Sequence, residues 1–218
     1  MRVRIKVCGI TRAEDAFMAC DLGADALGFN FVPDSPRRIA PRQARRIIDT
    51  LPPLVTPVAI VVNPRPRDLQ RWLRESGARA VQFHGEESPA MCAASPVAWF
   101  KAFRVGEGFE PGTVETYAAP WCLLDARVPG QRGGTGRTFD WSVVAEVRRR
   151  RKVILAGGLG PGNLAEAVAR AAPDAVDLNS GVESAPGIKD PERLQAAFAA
   201  LGSGILVSDQ IRQGRERS

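Results

Sequence analysis

The chain has 218 residues, 44% apolar and 25% charged, with a net charge of +6, the make-up of one globular domain large enough to bury a substantial core. No apolar run reaches the ~20 residues of a membrane span. Arg2, Arg4 and Lys6 interrupt the only apolar stretch at the N-terminus, so no signal peptide and a cytoplasmic location are expected.

The basic residues are spread widely and cluster only at Arg148-Arg149-Arg150-Arg151-Lys152, where cations would close a helix and complement its dipole. Aromatic residues are few and no nucleic-acid motif is present, so neither nucleic acid nor a membrane is an expected partner. The charge suits a solvated surface that attracts an anionic small molecule. Cys8, Cys20, Cys92 and Cys122 form no Cys-x-x-Cys pair, and His84 is the sole histidine. That argues against a disulfide framework and against the usual zinc sites. No metal and no cofactor are expected.

In chain order, the apolar run from Val3 to Val7 ends at Cys8-Gly9 and leads through Thr11 and Glu14 into a helix. The Thr-x-x-Glu spacing predicts a capping box. That helix ends near Leu22-Gly23, the glycine suiting a C-terminal cap. A second strand follows at Ala26–Phe31, then a loop from Pro33 to Ala40, and a helix opened by Pro41, a first-turn proline. Val58–Val62 is a third strand, closed by Asn63-Pro64, and its helix ends at Ser76-Gly77. Ala80–Phe83 is the fourth, followed by His84-Gly85 and a helix from Ser88-Pro89. Val97–Phe103 is the fifth, with a weak helix around Val114 to Tyr117, and Trp121–Asp125 is the sixth. A Gly-rich loop spans Ala126 to Thr138, and Asp140 is placed to cap the next helix. Val153–Ala156 is the seventh strand, its helix starting at Pro161. Ala175–Leu178 is the eighth, and Asp190 caps a last helix.

Eight strand–helix pairs of about 27 residues each predict an α/β fold, a single-domain (β/α)8 TIM barrel over residues 1–202. An open, doubly wound sheet is the alternative, because periodicity does not report closure. Residues 203–218 form a polar, basic tail expected to be disordered. No strong apolar surface stripe stands out, which leaves monomer and homodimer both open.

In such a barrel the ligand site lies at the C-terminal ends of the strands. Those ends offer Cys8, Asn30, Asn63, His84, Phe103, Asp125, Gly157-Gly158 and Asn179-Ser180-Gly181. One thiol, one imidazole and one carboxyl make neither a serine triad nor a metal cage. Gly157-Gly158 and Ser180-Gly181 sit on the seventh and eighth loops, where barrels bind phosphate with backbone amides and a short helix N-terminus. The segment Asn179 to Glu183 suits one short extra turn. Gly133-Gly134-Thr135-Gly136-Arg137 lacks the phosphate-loop form and suits a lid. Asp125, at an apolar strand end, is placed as a general acid or as one half of an internal salt bridge. Lys6 shares a strand face with Cys8. It is placed to stabilise a thiolate or to pair with Asp177.

Taken together, Lys6–Thr11, Gly28-Phe29 with Ser35–Ile39, Val81–Glu86, Leu123–Asp125, Gly133–Trp141, Ala156–Leu159 and Asp177–Glu183 resemble the phosphoribosylanthranilate isomerases of tryptophan biosynthesis, in order and over nearly the whole chain. The resemblance implies an enzyme, an isomerase that carries out an Amadori rearrangement on a small phosphorylated substrate without cofactor or metal. It implies Asp125 as general acid and Cys8 as general base. It also implies Arg37 on the anthranilate carboxylate, Gly157, Gly158, Ser180 and Gly181 on the phosphate, and His84 and Asp177 lining the site. Asn179 stands where many relatives have Ser, and Ala126-Arg127 where they have Thr-Lys. A histidine-pathway isomerase uses a carboxylate pair, against which Cys8 counts. A non-enzymatic sugar-phosphate binder would tolerate loss of Cys8 and Asp125, and turnover separates it.

Overall fold

Alternation along each strand decides which side chains enter the barrel. The computed structural model describes residues 2–106, 108–125 and 141–202. The Gly133–Arg137 lid, the Asp140 cap and the 203–218 tail lie outside the described residues. Eight parallel strands close on themselves in sequence order: β1 (Arg4–Val7), β2 (Ala26–Asn30), β3 (Thr56–Val61), β4 (Ala80–Phe83), β5 (Ala98–Arg104), β6 (Trp121–Asp125), β7 (Lys152–Ala156) and β8 (Ala175–Leu178). Closure is made by β1 against β8, with Lys6 opposite Asp177. The architecture is a (β/α)8 TIM barrel, and the open-sheet alternative falls.

The apolar residues divide into two sets, as a period of two requires. Val58, Phe100, Leu123 and Ile154 pack inside the barrel. Val7, Leu27, Phe29, Val81, Phe83, Leu124 and Leu178 pack outward against the helices. Cys8, Gly28, Gln82, His84, Asp125 and Asp177 have the inward parity. The strand ends therefore deliver them to the mouth.

The outer helices are α1 (Ala13–Asp21), α2 (Pro41–Ile48), α3 (Pro66–Ser76), α4 (Pro89–Ala93), α5 (Trp141–Arg148), α6 (Leu164–Ala171) and α7 (191–202). Gly23 and Gly77 end α1 and α3 at positive φ, 96° and 73°, where a side chain would be strained. Ser88 and Asp190 accept from the backbone amides of Met91 and Arg193, as N-caps.

Local expectations failed at several places. The Thr11–Glu14 capping box is not formed: Arg12 holds the N-cap position with no side-chain cap. Thr11 instead donates to the Gly187 carbonyl at 2.5 Å, a tertiary bond that takes the hydroxyl away from its own helix. The helix expected from Pro161 begins at Leu164, because Asn163 turns back to accept from the Gly160 amide. The weak helix near Val114 is a 3-10 turn at Pro111–Thr116, short and opened by Pro-Gly. A hairpin, β9 (Glu183–Ala185) with β10 (Ile188–Lys189), follows the short 3-10 turn Ser180–Val182 and was not anticipated.

Candidate active site

Cys8 lies one residue past β1, buried, its amide donating to the Leu178 carbonyl at 2.8 Å. Beside it Lys6 donates to Asp177 at 2.7 Å, both side chains inside the barrel. The two roles considered for Lys6 therefore coincide in place. Burial opposes the Lys6 ammonium, but Asp177 and Cys8 outweigh it and hold its pKa above the ordinary value. Burial pushes the Cys8 thiol up and Asp177 adds to that, while Lys6 and Lys189 pull it down without cancelling the rise. Burial also pushes Cys92 up to about 11 and Cys122 up to about 12. Cys92 faces Lys101 across a weaker attraction, and Cys122 lies among the outward apolar set.

Across the mouth, Asp125 ends β6, and its Oδ2 lies 3.7 Å from His84 Nε2. His84 follows β4, and its Nδ1 is 2.8 Å from the Gln82 side-chain amide nitrogen. That nitrogen donates, so Nδ1 accepts and the ring proton sits on Nε2, toward Asp125. Gln82 Oε1 is buried without a partner among the described residues. Behind this strand exit Lys101 donates to the carbonyls of Gly85 and Ala102 at 2.6 and 3.0 Å. The Glu87 carboxylate accepts from the amides of Asn63 and Gly85. These bonds fix the β4 loop that carries His84.

Between β1 and β6 on the short side of the barrel stand β8 and β7. Their exits are the two glycine loops. Gly157 and Gly158 take φ of 114° and 69°. A Cβ on Gly160 would come within 2.7 Å of the Gly181 carbonyl, so the two loops lie backbone against backbone. Ser180 and Gly181 occupy the expected extra turn. This pair of loops presents main chain rather than side chain, the condition for cradling an anion.

Arg37, in the loop after β2, packs its stem over Gly9, whose Cβ would lie 2.9 Å from Arg37 Cδ. Its guanidinium meets Glu183 at 2.6 Å through Nη2 and at 3.0 Å through Nε. Lys189 Nζ lies 2.9 Å from the same carboxylate and 3.2 Å from Asn179 Oδ1. Glu183 and Lys189 were missed in the sequence, although Pro186-Gly187 between them is a turn signal. Gln82 was missed too, although it shares parity with His84. Among the described residues no group of three or more His, Cys, Asp or Glu side chains could hold a metal ion, and no helix is long and apolar enough to cross a membrane.

The family model described as N-(5'-phosphoribosyl)anthranilate (PRA) isomerase matches residues 5–200. An N-(5'-phosphoribosyl)anthranilate isomerase of Citrifermentans bemidjiense is 46% identical over 204 residues, covering 94% of this chain and 99% of that one. A crystal structure of the phosphoribosyl anthranilate isomerase of Thermus thermophilus superposes with a TM-score of 0.82 at 42% identity, over 92% of this chain and 99% of that one. Another, 38% identical with a TM-score of 0.82 over the same shares, was solved in complex with reduced 1-(o-carboxyphenylamino)-1-deoxyribulose 5-phosphate. With the barrel, the glycine loops and the inward thiol and carboxyl in place, the match over almost the full length decides the matter: this chain belongs to the N-(5'-phosphoribosyl)anthranilate isomerase family.

Proposed function

We propose that the protein converts N-(5-phosphoribosyl)anthranilate to 1-(2-carboxyphenylamino)-1-deoxyribulose 5-phosphate, the isomerase step of tryptophan biosynthesis, by acid–base catalysis from Asp125 and Cys8. The phosphate sits on Gly157, Gly158, Ser180 and Gly181. Asp125 protonates the furanose ring oxygen, the bond from that oxygen to C1 breaks, and the anilino nitrogen lone pair forms the C1=N iminium. Cys8 removes the proton from C2. The C–H electrons form a C1=C2 bond and the iminium pair returns to nitrogen. The resulting enolamine loses the O2 proton and gains one at C1, giving the ketone with no net change in composition.

One observation carries this reading. Inward parity puts a thiol on β1 and a carboxyl on β6, flanking the two glycine loops. A sugar phosphate held by those loops extends between the two groups. The upward shift of the Cys8 thiol suits a base: once ionised, it binds the C2 proton more strongly than an ordinary thiolate. Arg37 is the cation for the anthranilate carboxylate, since a planar fork matches a carboxylate better than an ammonium does. His84 and Asp177 line the site, His84 against the acid and Asp177 against the base. A relative solved with a reduced product compound at 38% identity supports this choice of ligand.

The test is turnover by the purified protein, followed as loss of phosphoribosylanthranilate fluorescence. Cys8→Ala and Asp125→Asn should each lower kcat by at least about a hundredfold while melting within a few degrees of wild type. Near-normal turnover in either variant removes that residue from the mechanism.

A further inference from the structure

Two buried charges, Glu183 and Lys189, take no part in the proton transfers. Their side chains are 4% and 0% exposed, and buried ions are poor stabilisers compared with apolar residues of the same shape. Their partners explain them. The Glu183 carboxylate accepts from Arg37 Nε and Nη2, from Lys189 Nζ and from the Gly187 amide. Burial alone would push the Glu183 carboxyl up, but Arg37 and Lys189 overcome it and hold it below the usual carboxylate range. The group is a fixed anion.

A guanidinium has two forked edges, Nε with Nη2 and Nη1 with Nη2. Arg37 gives the first to Glu183. Among the described residues Nη1 makes no bond, and the Arg37 stem passes over Gly9, next to Cys8. Lys189 also donates to Asn179 Oδ1, the residue that opens the Ser180–Gly181 turn. The hairpin thus joins the loop carrying Arg37 to the loop read above as a phosphate site.

We propose that Glu183, seated by Lys189, is the positioning residue that makes this site select a carboxylated aglycone: it holds Arg37 by one edge and leaves the Nη1/Nη2 edge for the aromatic carboxylate. The proposal rests on the Arg37 reading. In the opposite arrangement Glu183 would compete with substrate for Arg37, and its removal would improve binding.

The experiment compares kcat/KM for two compounds made by condensing ribose 5-phosphate with anthranilate or with aniline, in the full-length protein. Wild type should prefer the anthranilate compound, and Arg37→Ala should abolish the preference. Glu183→Gln should reduce the preference by about tenfold or more, through a raised KM for the anthranilate compound that the aniline compound does not share. Because Glu183→Gln strands the Lys189 ammonium, the double variant Glu183→Gln/Lys189→Met, which buries no net charge, is measured beside it and should lose the preference equally. If Arg37→Ala abolishes the preference while both Glu183 variants keep or sharpen it, the proposal is overturned and the Arg37 reading stands. An equal loss on both compounds marks a structural role only and also overturns it. If Arg37→Ala keeps the preference, the Arg37 reading itself fails and takes the proposal with it.

Discussion

Adding one methyl group at Gly28 tests the placement of the Cys8 thiol directly. Gly28 lies on β2 facing into the barrel, and its carbonyl accepts from the Ile10 amide at 2.9 Å. A Cβ there would stand 3.0 Å from Cys8 Sγ, 3.1 Å from Cys8 Cα and 2.9 Å from Ile60 Cδ1. Carbon atoms pack best at about 3.5–4.0 Å, so Gly28→Ala overlaps its neighbours by roughly half an ångström. The Ile60 methyl turns aside by changing rotamer. Cys8 Cα has no such freedom, because the Cys8 amide is bonded to Leu178 and the Ile10 amide to Gly28 itself. The β1 exit therefore shifts, and the thiol with it. Overpacking of this kind costs about 1–3 kcal/mol of stability. A shift of half an ångström at a reacting group costs on the order of tenfold in rate, given that 1 Å costs about a hundredfold. The assay is kcat by fluorescence loss, with Tm measured on the same preparation. A lowered Tm with a kcat within twofold of wild type would refute the argument that the thiol is held in place by β2.

Inorganic phosphate should inhibit competitively, and Gly157→Asp should raise KM by about tenfold or more by setting a carboxylate against the phosphate. Insensitivity to high phosphate would move the site away from β7 and β8. As the proposed base, Cys8 would act as the thiolate, and burial with Asp177 lifts its pKa above the ordinary thiol value. Hence kcat/KM should climb with pH through neutrality and still be rising near the ordinary thiol pKa of about 8.5; a flat profile there speaks against ionisation of Cys8 in the free enzyme. His84 is the chain's only histidine, so its imidazole nitrogens can be followed by NMR without assignment. Wild type should show the Nε2–H tautomer and Gln82→Leu a mixture, while an unchanged spectrum would show that Gln82 does not set it.

The barrel was legible because most strands are short runs rich in Val, Ile, Leu and Phe with Gly, Asn or Pro at the exit, signals that are local; the sixth, which runs from Asp125 into Ala126-Arg127, is the exception. Strand limits came within two residues, the widest gap being the start of β3 at Thr56 rather than Val58. The places of Cys8 and Asp125 at the barrel mouth were legible for the same reason: strand parity and position at an exit are local properties. What escaped is what depends on partners far along the chain. Thr11 has the spacing of a cap, yet its hydroxyl goes to Gly187, 176 residues away. Arg37 reads as a charge in a polar loop, and nothing nearby in sequence announces that Glu183 holds it. The hairpin was passed over because its strands are three and two residues long, too short for a period of two to register.

The charges around Cys8 bear on how a thiol would serve as the base we propose. Lys6, Lys189 and Arg37 are cations, and Asp177 and Glu183 are anions. That leaves one excess positive charge among the five, which a thiolate would balance. Lys6 bonds Asp177 at 2.7 Å and Lys189 bonds Glu183 at 2.9 Å, so each cation that draws the Cys8 pKa down is shared with a carboxylate. Burial and Asp177 outweigh them, and the thiol pKa stays above the ordinary value. In the proposed reaction, opening of the sugar ring changes this balance, because the iminium brings a new positive charge between the two sides of the mouth. The thiolate, its proton already lost to solvent, is then stabilised by that charge when the C2 proton becomes acidic. A base that ionised more freely would be weaker toward carbon and, with more of it present as thiolate, more open to oxidation. Burying paired charges beside Cys8 costs stability relative to an apolar barrel centre, and in exchange the thiolate, where it forms, is a stronger base toward C2.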